Sequence, residues 1–121
     1  MPYIAANPER FLHQSVGSGE CVAYVQAAAR APNAGSWSAG VHVREAAVGT
    51  ITRGTVIATM VDGQYPNRSS GNHAAIYLSH DANGIQVIDQ WRGQAVHHRT
   101  IRWHGGQGSA SNDGDAYYVV E

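Results

Sequence analysis

The spacing of apolar residues changes once along this chain, and that change decides the class of fold. Over residues 19–31, Val22, Val25, Ala28 and Ala29 recur at helical spacing. Ser18 is the predicted N-cap, and the Pro32-Asn33-Ala34-Gly35 cluster stops the helix. From residue 55 the helical spacing disappears. Residues 55–61 form an apolar run suited to a buried strand, and 73–78, 85–91, 96–103 and 116–120 read as four more. Asp62-Gly63 and Asp81-Ala82-Asn83-Gly84 are turn signals, with polar loops over 64–72 and 105–114. Residues 1–16 read as an irregular lead-in broken by Pro2 and Pro8. Residues 33–54 are mixed, with a short helix expected over 41–47. One helix followed by about five strands predicts an α+β fold, the helix packed on an antiparallel sheet.

A length of 121 residues predicts one domain spanning 1–121. A chain of this size buries roughly two-thirds of its unfolded surface, enough for one core. Hydrophobic residues at 43% against 14% charged exclude disorder. A net charge of -1 argues against nucleic acid or an anionic membrane as the main partner. No stretch approaches the roughly 20 apolar residues of a membrane span. Residues 1–11 lack a basic, apolar signal peptide, so synthesis in the cytoplasm without export by that route is expected.

The chain has one cysteine, which rules out an internal disulfide and a thiolate-rich zinc knuckle. Cys21 lies in Gly17-Ser18-Gly19-Glu20-Cys21-Val22-Ala23-Tyr24-Val25-Gln26, where a glycine-rich loop runs into the helix. The thiol therefore falls in the first turn, where free N–H groups and the helix dipole favour a thiolate. An arbitrary lone cysteine is more often a small buried hydrophobe. Two later residues change that balance. His73 sits at a loop-to-strand junction after Ser69-Ser70-Gly71-Asn72 and can serve as a base. Asp89 lies inside an apolar strand, where a carboxylate is costly unless partnered. The turn near 82–83 folds its strand back beside that of His73. Gln90 is the rival for orienting the imidazole, because neighbouring strand residues face opposite sides.

Other conspicuous residues carry weaker readings. Trp37 and Tyr65, in loops, are candidates to line a groove, and Asn72 joins them beside His73. Trp91 and Trp103 read as core or platform aromatics. His80, His97, His98 and His104 fit no compact zinc spacing, so no metal and no cofactor is expected. Arg92, Arg99 and Arg102 read as a solvated face, with a second reading, left open by the sequence, as a set that meets the carboxylates of a peptide substrate.

The segment around Cys21 resembles the nucleophile segment of CHAP and NlpC-type papain-like amidases. His73-Ala74-Ala75-Ile76-Tyr77-Leu78 resembles their histidine strand, and Ile85-Gln86-Val87-Ile88-Asp89-Gln90-Trp91 the strand carrying their third polar residue. The run from Tyr65 to Trp91, with Asn112-Asp113-Gly114-Asp115-Ala116-Tyr117-Tyr118, is similar to the type VI secretion amidase effector families. The resemblance implies a papain-like fold and a peptidoglycan amidase in which Cys21 attacks, His73 moves the proton and Asp89 holds His73. By analogy with papain, Gln14 is a candidate second oxyanion donor beside the Cys21 N–H. The resemblance also implies delivery to the periplasm of target bacteria and a cognate immunity protein in the producer. Two other functions stay open at this point. One is a protein glutamine deamidase or acyl transferase using the same Cys–His chemistry. The other is a non-catalytic binding domain with Cys21 in its core.

Overall fold

Glycine sets where the helix begins. Gly17 and Gly19 adopt φ of 57° and 85°, turning the chain just before α1 (Cys21–Ala29). Glu20 therefore takes the N-cap position expected of Ser18, whose Oγ instead accepts the Glu20 N–H at 3.3 Å. The helix starts two residues later and ends two earlier than spacing predicts. Arg30 closes it in the left-handed conformation, its N–H donated to the Gln26 carbonyl. The computed structural model describes residues 1–66 and 68–121; Asn67, in the expected polar loop, lies outside the described residues.

The strands are β1 (Ala39–His42), β2 (Val56–Thr59), β3 (Ala74–Asp81), β4 (Gly84–Trp91), β5 (Gln94–Ile101) and β6 (Tyr117–Val120). They form one sheet in the order β1-β6-β2-β3-β4-β5, with every neighbouring pair antiparallel. The meander expected from the turns runs through β2–β5 only. β6 returns to pair with β2 and β1 rather than with β5. The sheet thus has six strands rather than five. β1 takes the first two residues of the helix expected over 41–47, and within the rest of that span only Val43–Glu45 make a single 3₁₀ turn. Its four residues have little local strand preference. Pairing of Ala39 with Val120 and His42 with Tyr118 supplies it from the far end of the chain.

Alternation along the strands divides the core in two. Ala74, Ile76, Ile88 and Val96 point to the face covered by Tyr24 and Val25 of α1. Ala75, Tyr77, Val87 and Ile101 point to the other face, joined by Tyr117, Ile51 and Trp103. Filling both faces explains why every residue of β2 is buried and why it reads as an unbroken apolar run. Each large aliphatic buried here contributes about 1.5–3 kcal/mol. Ile76 pairs with Ile88, which brings the start of β3 beside the end of β4. The β4–β5 register slips between Asp89 and Trp91, a local irregularity of the kind that re-aims side chains.

Candidate active site

Cys21 is the first residue of α1, so its own N–H is one of the first-turn donors with no partner inside the helix. The helix packs on β3 and β4, and this carries the thiol to the start of β3. His73 immediately precedes that strand. Thr59 at the end of β2 fixes its backbone: the His73 N–H donates to Thr59 Oγ1 at 3.0 Å, and the Thr59 N–H to the His73 carbonyl at 3.0 Å. The ring is 5% exposed. Its Nε2 lies 2.7 Å from Asp89 Oδ2. An ionised carboxylate only accepts, so Nε2 carries the hydrogen and Nδ1 is left for the thiol side.

Asp89 is fully buried and does not rest on His73 alone. Arg99 Nε donates to the same Oδ2 at 2.7 Å. His97 Nε2 lies 3.1 Å from Oδ1 but off the line of a hydrogen bond, so both of those atoms lack a hydrogen-bond partner. Pairing of Asp89 with His97 and of Val87 with Arg99 puts all three polar side chains on one face of the sheet. Trp91 packs over the cluster, its ring 5.0 Å from His97 and 6.1 Å from His73, with the Arg99 guanidinium 5.1 Å above it. Arg99 is therefore not part of a solvated face.

These contacts set the charges. Burial pushes the Asp89 carboxyl up, but the His73 hydrogen bond and the nearby His73 and Arg99 charges outweigh it and hold it below the usual range. Burial pulls the His73 imidazolium down, yet the hydrogen bonds to Asp89 and Cys21 raise it from 6.5 to about 8. Burial also disfavours the Cys21 thiolate. His73 more than offsets this, helped by the Ala74 N–H and the Tyr65 hydroxyl, and the thiol falls below its ordinary value. The arrangement favours a thiolate beside an imidazolium.

A cleft of about 400 Å³ opens over Cys21 and His73, with Tyr65, Asn72 and Trp91 in its walls. The Tyr65 hydroxyl stands 3.8 Å from Cys21 Sγ. Three sequence expectations fall outside the cleft. Trp37 is 2% exposed, its indole N–H donated to the Pro32 carbonyl at 3.0 Å, and it meets Tyr65 edge-on from the core instead of lining the groove. Gln14 is exposed on the lead-in, its carbonyl taken by the Val96 N–H, and is not among the lining residues. Gln90 faces away from His73 and grips the loop before Cys21. Its Oε1 accepts the Val16 N–H at 2.9 Å, and its Nε2 donates to the Val16 and Glu20 carbonyls at 2.9 and 2.8 Å. Reading the sequence missed Arg99, His97 and Thr59. The Arg92-Gly93 turn, with Gly93 at φ 91°, held the signal for the first two, since it fixes β5 beside β4. Among the described residues, no group of three or more His, Cys, Asp or Glu is placed to hold a metal ion. None of the described helices is long and apolar enough to cross a membrane.

Comparison with known proteins gives this geometry a context. Residues 3–120 match the family model described as Domesticated amidase effector 2. The chain is 37% identical to a Type VI secretion amidase effector 2 protein of Salmonella typhi, with both chains covered in full. It is also 37% identical to a Domesticated amidase effector 2 of Ixodes scapularis, over 88% of this chain and 73% of that one. Among solved structures, Type 6 secretion amidase effector 2 (Tae2) is similar with a TM-score of 0.85 and 38% identity, over 98% of this chain and 94% of the other. An α+β chain with α1 packed on its sheet, matched from end to end in this way, belongs to the domesticated amidase effector 2 family of amidase effectors.

Proposed function

We propose that the chain is a peptidoglycan amidase that works by cysteine catalysis on a papain-like, NlpC/CHAP-type layout. The Cys21 thiolate attacks the carbonyl carbon of a wall-peptide amide. The developing oxyanion meets the Cys21 N–H at the positive end of α1. His73 delivers its proton to the leaving amine, and the C–N bond breaks to leave a thioester on Cys21. Neutral His73 then takes a proton from water, which attacks the thioester and frees the acid and the thiolate. Asp89 keeps the imidazole in one tautomer and supports its charge throughout, and Arg99 supports Asp89. The observation that carries this reading is the meeting of Cys21 and His73 at one cleft, with buried Asp89 on the His73 ring, in a chain of the amidase effector family.

Family membership further supports a role as an antibacterial effector delivered to the periplasm of target cells, with a cognate immunity protein that plugs the cleft in the producer. The test is digestion of purified diaminopimelate-type sacculi by wild type and Cys21→Ala, with products read by liquid chromatography and mass spectrometry. New fragments that vanish in Cys21→Ala are expected, and their masses name the bond. Intact sacculi with a folded, thiol-reactive wild type would transfer the same chemistry to a protein glutamine.

A further inference from the structure

Three of the eight arginines are paired with carboxylates: Arg44 with Asp115, Arg53 with Glu9 and Arg99 with Asp89. Arg68 and Arg92 differ. Both are exposed, both line the cleft over Cys21 and His73, and neither joins an ion pair among the described residues. They come from separate segments, Arg68 from the loop before β3 and Arg92 from the turn between β4 and β5. Two loops thus deliver guanidinium groups to one opening. Glu20 is the acidic side chain lining it, and Ser69 and Ser70 add hydroxyls beside Arg68. Two guanidinium groups against one carboxylate leave the entrance with an excess of positive charge.

We propose that Arg68 and Arg92 form a carboxylate-binding subsite that selects peptides bearing a free carboxylate close to the scissile amide. The inference rests on the amidase reading above and deepens it. A guanidinium is planar and matches a carboxylate with two parallel N–H···O bonds, whereas an amide in the same place offers one acceptor and no charge. Wall stem peptides carry such carboxylates on side chains and chain ends, and each can be amidated without changing the backbone. Arg68 and Arg92 are specificity-determining here because they discriminate between these forms. Both groups face solvent, so each contributes a few-fold and the pair about tenfold. The effect weakens as salt is added.

The experiment uses synthetic cross-linked stem peptides with free carboxylates, a set with one carboxylate amidated at a time, and a fully amidated member. The kcat/KM of each is measured for wild type and for R68Q/R92Q. In wild type, amidating one particular carboxylate should lower kcat/KM about tenfold, and the gap should narrow at high salt. In R68Q/R92Q the free and amidated forms should be cleaved at nearly equal kcat/KM. This ratio is internal to each protein and does not depend on how much of it is active. Equal cleavage of every member by wild type, or an undiminished preference in R68Q/R92Q, overturns the subsite and leaves the amidase reading standing. No Cys21-dependent cleavage of any member overturns both.

Discussion

Asp89 and Gln90 are neighbours on β4 and serve opposite faces of the sheet by different physics. Asp89 is charged and meets charged partners, His73 and Arg99, each at 2.7 Å. Gln90 is neutral, equally buried, and makes three hydrogen bonds to the loop that presents Cys21. In the proposed mechanism, one residue holds the base and the next holds the nucleophile. The base side depends on ionisation, so it responds to pH. The nucleophile side depends on amide geometry and does not. The proposed catalytic pair is therefore aligned by one dipeptide of one strand, with a separate failure mode on each face.

The sharpest way to break the charged face is Asp89→Asn. Turnover should fall about 100-fold or more, since the imidazole loses both its tautomer lock and its counter-charge. The alkaline limb of activity, expected near the His73 value of about 8, should move down. A turnover within about threefold of wild type would mean that Asp89 only fills space.

Breaking the neutral face should cost stability rather than charge. Gln90→Ala strips the Val16 N–H of its partner and removes one donor each from the Val16 and Glu20 carbonyls, which keep the Gly19 and Ala23 N–H groups. The expected loss is roughly 3 kcal/mol, or about 10 °C in Tm. The pH profile of the surviving folded enzyme should keep its wild-type shape. A profile displaced as in Asp89→Asn would erase the distinction between the two faces.

Arg99→Gln sharpens the comparison further. The Asp89 value is depressed, so its ionised form contributes stability above the ordinary carboxylate range and loses it as pH falls. Without Arg99 that loss begins at higher pH. Activity at pH 5 should drop several-fold more than at pH 7, and acid unfolding should start at higher pH. The imidazolium works in the opposite sense. His73 is raised, so its contribution is full below about 6.5 and lost as pH rises through about 8. The smallest effect belongs to Tyr65→Phe. A hydroxyl 3.8 Å from the sulfur is a weak donor, and kcat/KM should fall less than about fivefold.

Residues with a strong local signal were legible in the sequence. Cys21 was marked by glycines running into a helix, and Asp89 by its place in an apolar strand. The meander β2–β5 was marked by its turns. What stayed hidden depends on partners distant in the chain. β1 has little strand preference until Val120 and Tyr118 arrive beside it. Arg99 looked solvated because its face is set by the β4–β5 register, not by its neighbours in sequence. Trp37 and Tyr65 look alike as loop aromatics, and only packing puts one in the core and the other at the thiol. Gln90 stands beside Asp89 in the sequence as a rival for the imidazole, and the pleat gives it the opposite face.

His73, held by Asp89, is proposed to draw the Cys21 thiol towards its thiolate. The direct test is the rate of Cys21 alkylation by iodoacetamide across pH 4–10, for wild type, His73→Ala and Asp89→Asn. Wild type should be alkylated fast at pH 7, with an inflection below the ordinary thiol value of 9.0. The inflection should be displaced upward in both variants, furthest in His73→Ala. A wild-type thiol that is inert at pH 7, or three superimposable profiles, would contradict the proposal.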